Sequence, residues 1–124
     1  MNRLLIVDDA LIMQMKIAEI ARSADWDVVG QANNGIEAVR LYSELKPDLI
    51  TMDMIMPDMD GLAALEAIRQ SDASAQVVMV SAVNQKDKLR RSIELGAIDF
   101  IVKPFDAVEL KNFFLKLRKA SCNH

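Results

Sequence analysis

The sequence predicts an α/β domain, a doubly wound five-stranded parallel sheet with five helices. Apolar runs of four to six residues alternate with stretches of helical period, and the alternation occurs five times. Three aspartates, Asp8, Asp9 and Asp53, each close such a run, where a strand leaves the core and reaches the rim of its sheet. The 124 residues fit one domain of common size, with no linker, low-complexity stretch or repeat beyond the βα unit. The expectation is a single domain over residues 1–124 with no attached output domain.

The first strand is read at Arg3 to Val7, on the run Leu4-Leu5-Ile6-Val7, followed by a helix from Leu11 to Ala24 with Met13, Ile17, Ile20 and Ala24 on one face. Asp27 to Ala32 fits the second strand. The turn Asn33-Asn34-Gly35 imitates a hairpin signal, but Ile36, Val39 and Leu41 are too widely spaced for a strand, so a helix runs from Ile36 to Leu45 and Pro47 ends it. Leu49 to Met52 is the third strand, and Gly61 opens a helix through Gln70 with Leu62, Leu65 and Ile68 inward. The fourth strand is Gln76 to Val80, and the fourth helix runs about Gln85 to Leu95, stopped by Gly96. Asp99 to Val102 forms the fifth strand. The final helix has Asp106 as its N-cap and extends to about Lys119, with Leu110, Phe113, Phe114 and Leu117 packing down. Right-handed crossovers with helices on both faces give the flavodoxin-like order 2-1-3-4-5, in which the first and third strands are neighbours.

Composition narrows the chemistry. A hydrophobic share of 52% with 27% charged residues is that of a soluble globular protein. No segment approaches the roughly 20 apolar residues of a membrane span, and the first apolar run is too short for a signal peptide, so a cytoplasmic location without membrane contact is expected. The only cysteine is Cys122 and the only histidine is His124, which removes internal disulfides and most Ser-His, Cys-His and His-metal chemistry. Residues 1 to 83 carry six Lys and Arg against thirteen Asp and Glu, whereas residues 84 to 124 carry nine against five. That basic bias is either a solvated face of two helices or a docking surface for an acidic partner. Nucleic acid is not expected, because the chain is acidic and has no helix patterned to read bases.

In the predicted order Asp8, Asp9 and Asp53 lie side by side at the carboxyl edge, joined by Ser81 and Lys103 from the ends of the fourth and fifth strands. Three carboxylates at one rim repel each other and call for a cation, and magnesium takes one or two carboxylates while leaving room for phosphate oxygens. Asp9 and Asp53 suit direct ligation, with Asp8 acting through water and a loop carbonyl near Ile55 completing the shell. A carboxylate attacks a phosphoryl group poorly unless metal charge and an ammonium offset the repulsion, and Lys103 supplies that ammonium. The Ser81 hydroxyl supplies a donor for a phosphoryl oxygen.

The segments Ile6-Val7-Asp8-Asp9, Met52-Asp53-Met54-Ile55-Met56-Pro57-Asp58-Met59-Asp60-Gly61, Val80-Ser81-Ala82 and Asp99-Phe100-Ile101-Val102-Lys103-Pro104-Phe105 resemble the complete motif set of response-regulator receiver domains. Within that family the chain is most similar to the stand-alone chemotaxis regulators. The resemblance implies that Asp53 accepts a phosphoryl group from a histidine kinase and that Asp8, Asp9, Asp53 and the Ile55 carbonyl hold Mg²⁺. It implies that Lys103 contacts the phosphoryl group through a side chain next to a cis bond to Pro104. Ser81 and Phe100 match the family's switch pair, in which the hydroxyl moves to the phosphoryl group and the ring turns inward.

The implied function is a phosphorylation-controlled binding switch of a two-component system, not an enzyme beyond phosphorylating itself from donors and slowly removing the phosphate. Its target is a protein, the flagellar motor switch by the chemotaxis resemblance, met through Lys86, Lys88, Arg90, Arg91, Lys111, Lys116 and Lys119. The chain would act as a monomer or weak dimer. A phosphorelay shuttle or a regulator of another enzyme is the alternative. A Mg²⁺-dependent phosphohydrolase is disfavoured, because the position two beyond the nucleophile holds Ile55 or Ala10 where a second acid is needed. Flavin binding is disfavoured by the absence of a Ser, Thr or Gly run after the first strand. Ile55 and Val83 are apolar where relatives often carry polar side chains, which predicts a long-lived phosphorylated state. For Phe100 a core-packing role stands beside the switch role, and for Met52, Met54, Met56 and Met59 gap-filling is favoured over a docking patch.

Overall fold

Every apolar run read as a strand enters the sheet. A computed structural model describes residues 2–82 and 86–118. The elements are β1 (Arg3–Val7), α1 (Leu11–Ser23), β2 (Asp27–Ala32), α2 (Gly35–Leu45), β3 (Leu49–Asp53), α3 (Gly61–Ser71), β4 (Val77–Ala82), α4 (Lys86–Glu94), β5 (Asp99–Lys103) and α5 (Ala107–Leu117). All pairings are parallel and the order is β2-β1-β3-β4-β5, as expected.

Residues adjacent along a strand feed opposite layers, because the pleat has a period of two. Leu5, Ile50 and Val77 join the core beneath α2 and α3, whereas Leu4, Leu49 and Val78 join the core beneath α1 and α5. The second core is closed by Trp26, whose Nε1 donates to the Phe114 carbonyl at 2.8 Å while the two rings lie 6.1 Å apart. β3 sits at the centre and all five of its residues are buried.

Among the described residues, three helices begin on capping side chains. Asn34 accepts from the Glu37 amide, Asp60 from Ala63 and Asp106 from Val108, each satisfying a first-turn N–H that has no helical partner. α1 has no side-chain cap at Ala10. Gly96, at φ +106°, ends the fourth helix in a conformation that L side chains rarely adopt.

The boundaries depart from expectation at a few ends. β4 runs to Ala82, beyond the expected Val80, because β5 continues to supply ladder partners as far as Ala82 beside Lys103. α5 stops at Leu117, since Arg118 turns to extended backbone. The expected helix limits Gln85 and Lys119 lie outside the described residues.

Register assembles the rim. Val7 pairs with Met52, Asp53 with Val80, Ser81 with Val102 and Ala82 with Lys103, so the ends of β1, β3, β4 and β5 finish along one edge. α3 begins hard against it: the Gly61 amide donates to the Met54 carbonyl at 2.8 Å, and a Cβ at Gly61 would fall on the Asp53 carbonyl oxygen.

Candidate functional site

Asp8 is the most constrained acid of the rim. It is buried; its amide donates to the Ala32 carbonyl at 3.1 Å, its Oδ1 accepts from the Ala10 amide at 2.9 Å, and its Oδ2 accepts from Lys103 Nζ at 3.1 Å. Lys103 Nζ also donates to Asp53 Oδ1 at 3.3 Å, so one ammonium spans the ends of β1 and β3. Asp9 is exposed, and ligand oxygens of Asp8, Asp9 and Asp53 all lie within 4.8 Å of one another.

The electrostatics follow from burial and crowding. Burial, then the negative charge of Asp8, pushes the Asp53 carboxyl up to about 6, with Lys103 partly opposing and Asp9 adding a smaller push. Burial alone would lower the Lys103 pKa, but the carboxylates of Asp53 and Asp8 outweigh it and hold the ammonium above its usual range. Three carboxylates face one ammonium, an excess of negative charge on oxygen donors only. That donor set fits a hard divalent cation such as Mg²⁺ and offers nothing to a soft one.

The other expected residues divide. Ser81 is buried at the end of β4, where its hydroxyl donates to the Ala82 carbonyl at 3.3 Å. Ile55 follows β3 in the rim loop with its side chain 52% exposed. Phe100 is 42% exposed on the edge strand β5, which overturns the core-packing role. Its ring instead lines a groove of about 350 Å³ with Lys86, Leu89, Arg90, Ile93 and Val102. Met52, Met54 and Met56 are buried and Met59 packs against the same core, which agrees with gap-filling. The bond between Lys103 and Pro104 is cis.

The basic bias of the C-terminal third is less of a surface than its sum suggests. Lys103 is consumed in the acidic pocket, Arg91 pairs with Glu94 at 3.2 Å, and Arg118 pairs with Asp25 at 2.5 Å. Lys86, Lys88, Arg90, Lys111 and Lys116 are exposed on α4 and α5, while Val83, Lys119, Cys122 and His124 lie outside the described residues.

One residue of the rim escaped the motif reading. Gln14 is 2% exposed, and its Nε2 donates to the Asp8 carbonyl at 2.6 Å, Asn33 Oδ1 at 2.8 Å and the Ala32 carbonyl at 3.2 Å. The available signal was a lone polar side chain on the buried stripe of α1, in register with Ile17, Ala18 and Ala21.

Comparison with known proteins agrees with this fold and rim. The family described as response regulator receiver domain matches residues 4–114. The chain is 51% identical over 107 residues to the chemotaxis protein CheY of Listeria monocytogenes, covering 86% of this chain and 90% of that one. It is 44% identical over 118 residues to CheY of Thermotoga maritima, covering 95% and 98%. Among solved structures, a CheX-CheY-BeF3-Mg²⁺ complex from Borrelia burgdorferi aligns with a TM-score of 0.87 at 32% identity, covering 93% of this chain and 87% of that one. The chain belongs to the response-regulator receiver family, the phosphoacceptor switches of two-component signalling, and its similarity is to the CheY-like chemotaxis regulators. Members of this family are signalling switches rather than classical enzymes. No helix among the described residues is long and apolar enough to cross a membrane.

Proposed function

We propose that Asp53 is the phosphoacceptor of a cytoplasmic chemotaxis switch whose phosphorylation changes which protein it binds. The observation that carries this reading is the placement of the Asp53 carboxylate among Asp8, Asp9 and the Lys103 ammonium. Asp8, Asp9 and Asp53, with the Ile55 carbonyl, would hold Mg²⁺, which when bound supplies positive charge for the oxygens of an incoming phosphoryl group.

In the transfer, an Asp53 carboxylate oxygen bonds to phosphorus as the bond from phosphorus to the donor histidine nitrogen breaks. The freed imidazole takes up a proton. Lys103 already lies against Asp53, so its ammonium offsets charge on both the nucleophile and the phosphoryl oxygens without a long excursion. Asp8, held on three sides by Ala32, Ala10 and Lys103, keeps its carboxylate oriented while Asp53 changes. Water reaches the acyl phosphate later, giving slow self-dephosphorylation, and the apolar side chain of Ile55 supplies no group to orient that water.

Readout runs through β4 and β5. The Ser81 hydroxyl, whose bond among the described residues is a long one of 3.3 Å to its neighbour's carbonyl, moves to the phosphoryl group, and the exposed Phe100 ring then turns inward. That movement reshapes the groove between α4 and β5, where Lys86 and Arg90 flank Leu89, Ile93 and Val102. An acidic segment with apolar anchors fits such a groove, and the flagellar motor switch is the target suggested by the chemotaxis relatives. Phosphotransfer from an autophosphorylated histidine kinase tests the reading. Label is expected on the chain with Mg²⁺ and not with EDTA, and transfer that ignores EDTA would contradict it.

A further inference from the structure

We propose that Gln14 is a positioning residue for the acidic pocket, holding the Asp8–Asp9 peptide in the orientation from which both carboxylates reach a divalent cation. The inference rests on the reading of the pocket as a Mg²⁺ site.

Gln14 occupies the first turn of α1, the helix that follows the two acids. Its stripe neighbours Ile17, Ala18 and Ala21 are apolar and enter the core beneath α1 and α5. An apolar residue at 14 would continue that stripe, yet the position holds a carboxamide that is 2% exposed. Burying such a group is unfavourable unless its hydrogen bonds are made. Here the two N–H groups of the amide are shared among three acceptors from two loops, the Asp8 carbonyl at 2.6 Å, Asn33 Oδ1 at 2.8 Å and the Ala32 carbonyl at 3.2 Å. Because all three are acceptors, the end facing them must be the NH₂ of the amide.

The shortest of these bonds reaches the pocket through covalent geometry. The Asp8 carbonyl and the Asp9 amide belong to one planar peptide, so fixing the carbonyl oxygen fixes the plane from which the Asp9 Cα departs. Asp9 is exposed and gains little orientation from packing. Its direction therefore depends on this peptide. The same Ala32 carbonyl that accepts from Gln14 also accepts from the Asp8 amide at 3.1 Å, so Gln14, Asp8 and Ala32 close a ring of hydrogen bonds beneath the rim. Asn33 ties that ring to the loop opening α2, where the Asn34 side chain caps the helix and the Gly35 amide donates to the Met59 carbonyl at 3.0 Å. The segments that follow β1, β2 and β3 are thus linked through main-chain bonds, and Gln14 is a side chain that joins the first two.

Groups that orient metal-binding side chains without touching the ion typically alter affinity by about 10-fold to 100-fold when removed. The test is calorimetric titration of Mg²⁺ into the unphosphorylated full chain, comparing wild type, Gln14→Met and Tyr42→Phe. Met matches Gln in length and removes the donors. Tyr42→Phe removes a 2.6 Å bond to Asp72 on the α2 side of the sheet and serves as the variant that loses stability without touching the pocket. Urea unfolding in parallel confirms that each variant is folded at the titration temperature. Gln14→Met is expected to weaken Mg²⁺ about 10-fold while Tyr42→Phe leaves it unchanged. An affinity for Gln14→Met within about threefold of wild type, or an equal loss in Tyr42→Phe, would overturn the positioning role. If Gln14→Met does not fold, Gln14→Asn, one methylene too short to span to the Asp8 carbonyl, carries the same two outcomes. Absence of Mg²⁺ binding by wild type would overturn the metal reading itself and the inference with it.

Discussion

Lys103 Nζ lies 3.3 Å from Asp53 Oδ1 and is the one neighbouring group that opposes the rise in the Asp53 pKa. Burial and the charge of Asp8 act the other way and prevail, which leaves the carboxyl at about 6. Replacing Lys103 by methionine removes the opposing charge, so Asp53 should titrate above that value in metal-free buffer, as carboxyl carbon chemical shifts followed against pH would report. Phosphorylation from a small-molecule donor should slow by about a hundredfold, the usual consequence of losing one charge-stabilising donor. A Lys103→Met protein phosphorylated at the wild-type rate would remove Lys103 from the transfer step.

The raised pKa of Asp53 also sets a pH dependence of stability. The fold tolerates the protonated form better, so the stability contributed by that proton is fully present below pH 3.8 and lost as pH rises through about 6. Asp53→Asn carries no charge at any pH and should be more stable than wild type at pH 7.5 by roughly 1–3 kcal/mol in the absence of metal. The difference should vanish near pH 4, where wild type is largely neutral at this position. Urea unfolding of both proteins at the two pH values measures it, and a constant difference would show that ionisation of Asp53 is not its source.

Two glycines separate close approach from backbone conformation. At Gly61 a Cβ would meet the Asp53 carbonyl oxygen and lie 2.9 Å from Met54 Cα, so Gly61→Ala must push α3 away from the end of β3. A loss of about 2 kcal/mol or more is expected, together with slower phosphorylation, because the displaced strand end carries Asp53, the proposed acceptor. Gly96→Ala meets the flexible end of Arg69 but sits at φ +106°. It should lose about 1 kcal/mol of stability and phosphorylate normally. Equal effects on phosphorylation would refute the special place of Gly61.

Thr51 Oγ1 is the one buried side-chain polar atom without a hydrogen-bond partner among the described residues. It sits mid-strand in β3, between Ile50 and Met52. Thr51→Val replaces an unsatisfied hydroxyl by a methyl of similar shape and should stabilise the fold by about 1 kcal/mol. Thermal unfolding would read this as a raised midpoint. A lowered midpoint would mean that the hydroxyl has a partner that the static structure does not hold.

The strands and their order were legible because most are short, largely apolar runs between turn residues, as Leu4-Leu5-Ile6-Val7 illustrates, with β2 the weakest of them for its Gly30 and Gln31. The acids of the rim were legible because Asp8, Asp9 and Asp53 interrupt such runs at their ends. What stayed hidden depends on partners distant in sequence. The extension of β4 to Ala82 is set by pairing with β5, and the exposure of Phe100 depends on how α4 lies beside β5 across the groove that the ring lines. Gln14 was hidden for a different reason: its three acceptors come from Asp8, Ala32 and Asn33, and only folding brings them to one carboxamide. Within the excess of basic residues after residue 83, Lys103 faces the pocket, where its motif had placed it, and does not add to the surface charge of α4 and α5.

Intact mass after incubation with acetyl phosphate and Mg²⁺ tests the central claim most directly. The account predicts one added phosphoryl group on the wild-type chain, lost when Mg²⁺ is chelated and absent in Asp53→Asn. An adduct that persists in Asp53→Asn, or no adduct on the wild type, would contradict the assignment of Asp53 as the phosphoacceptor.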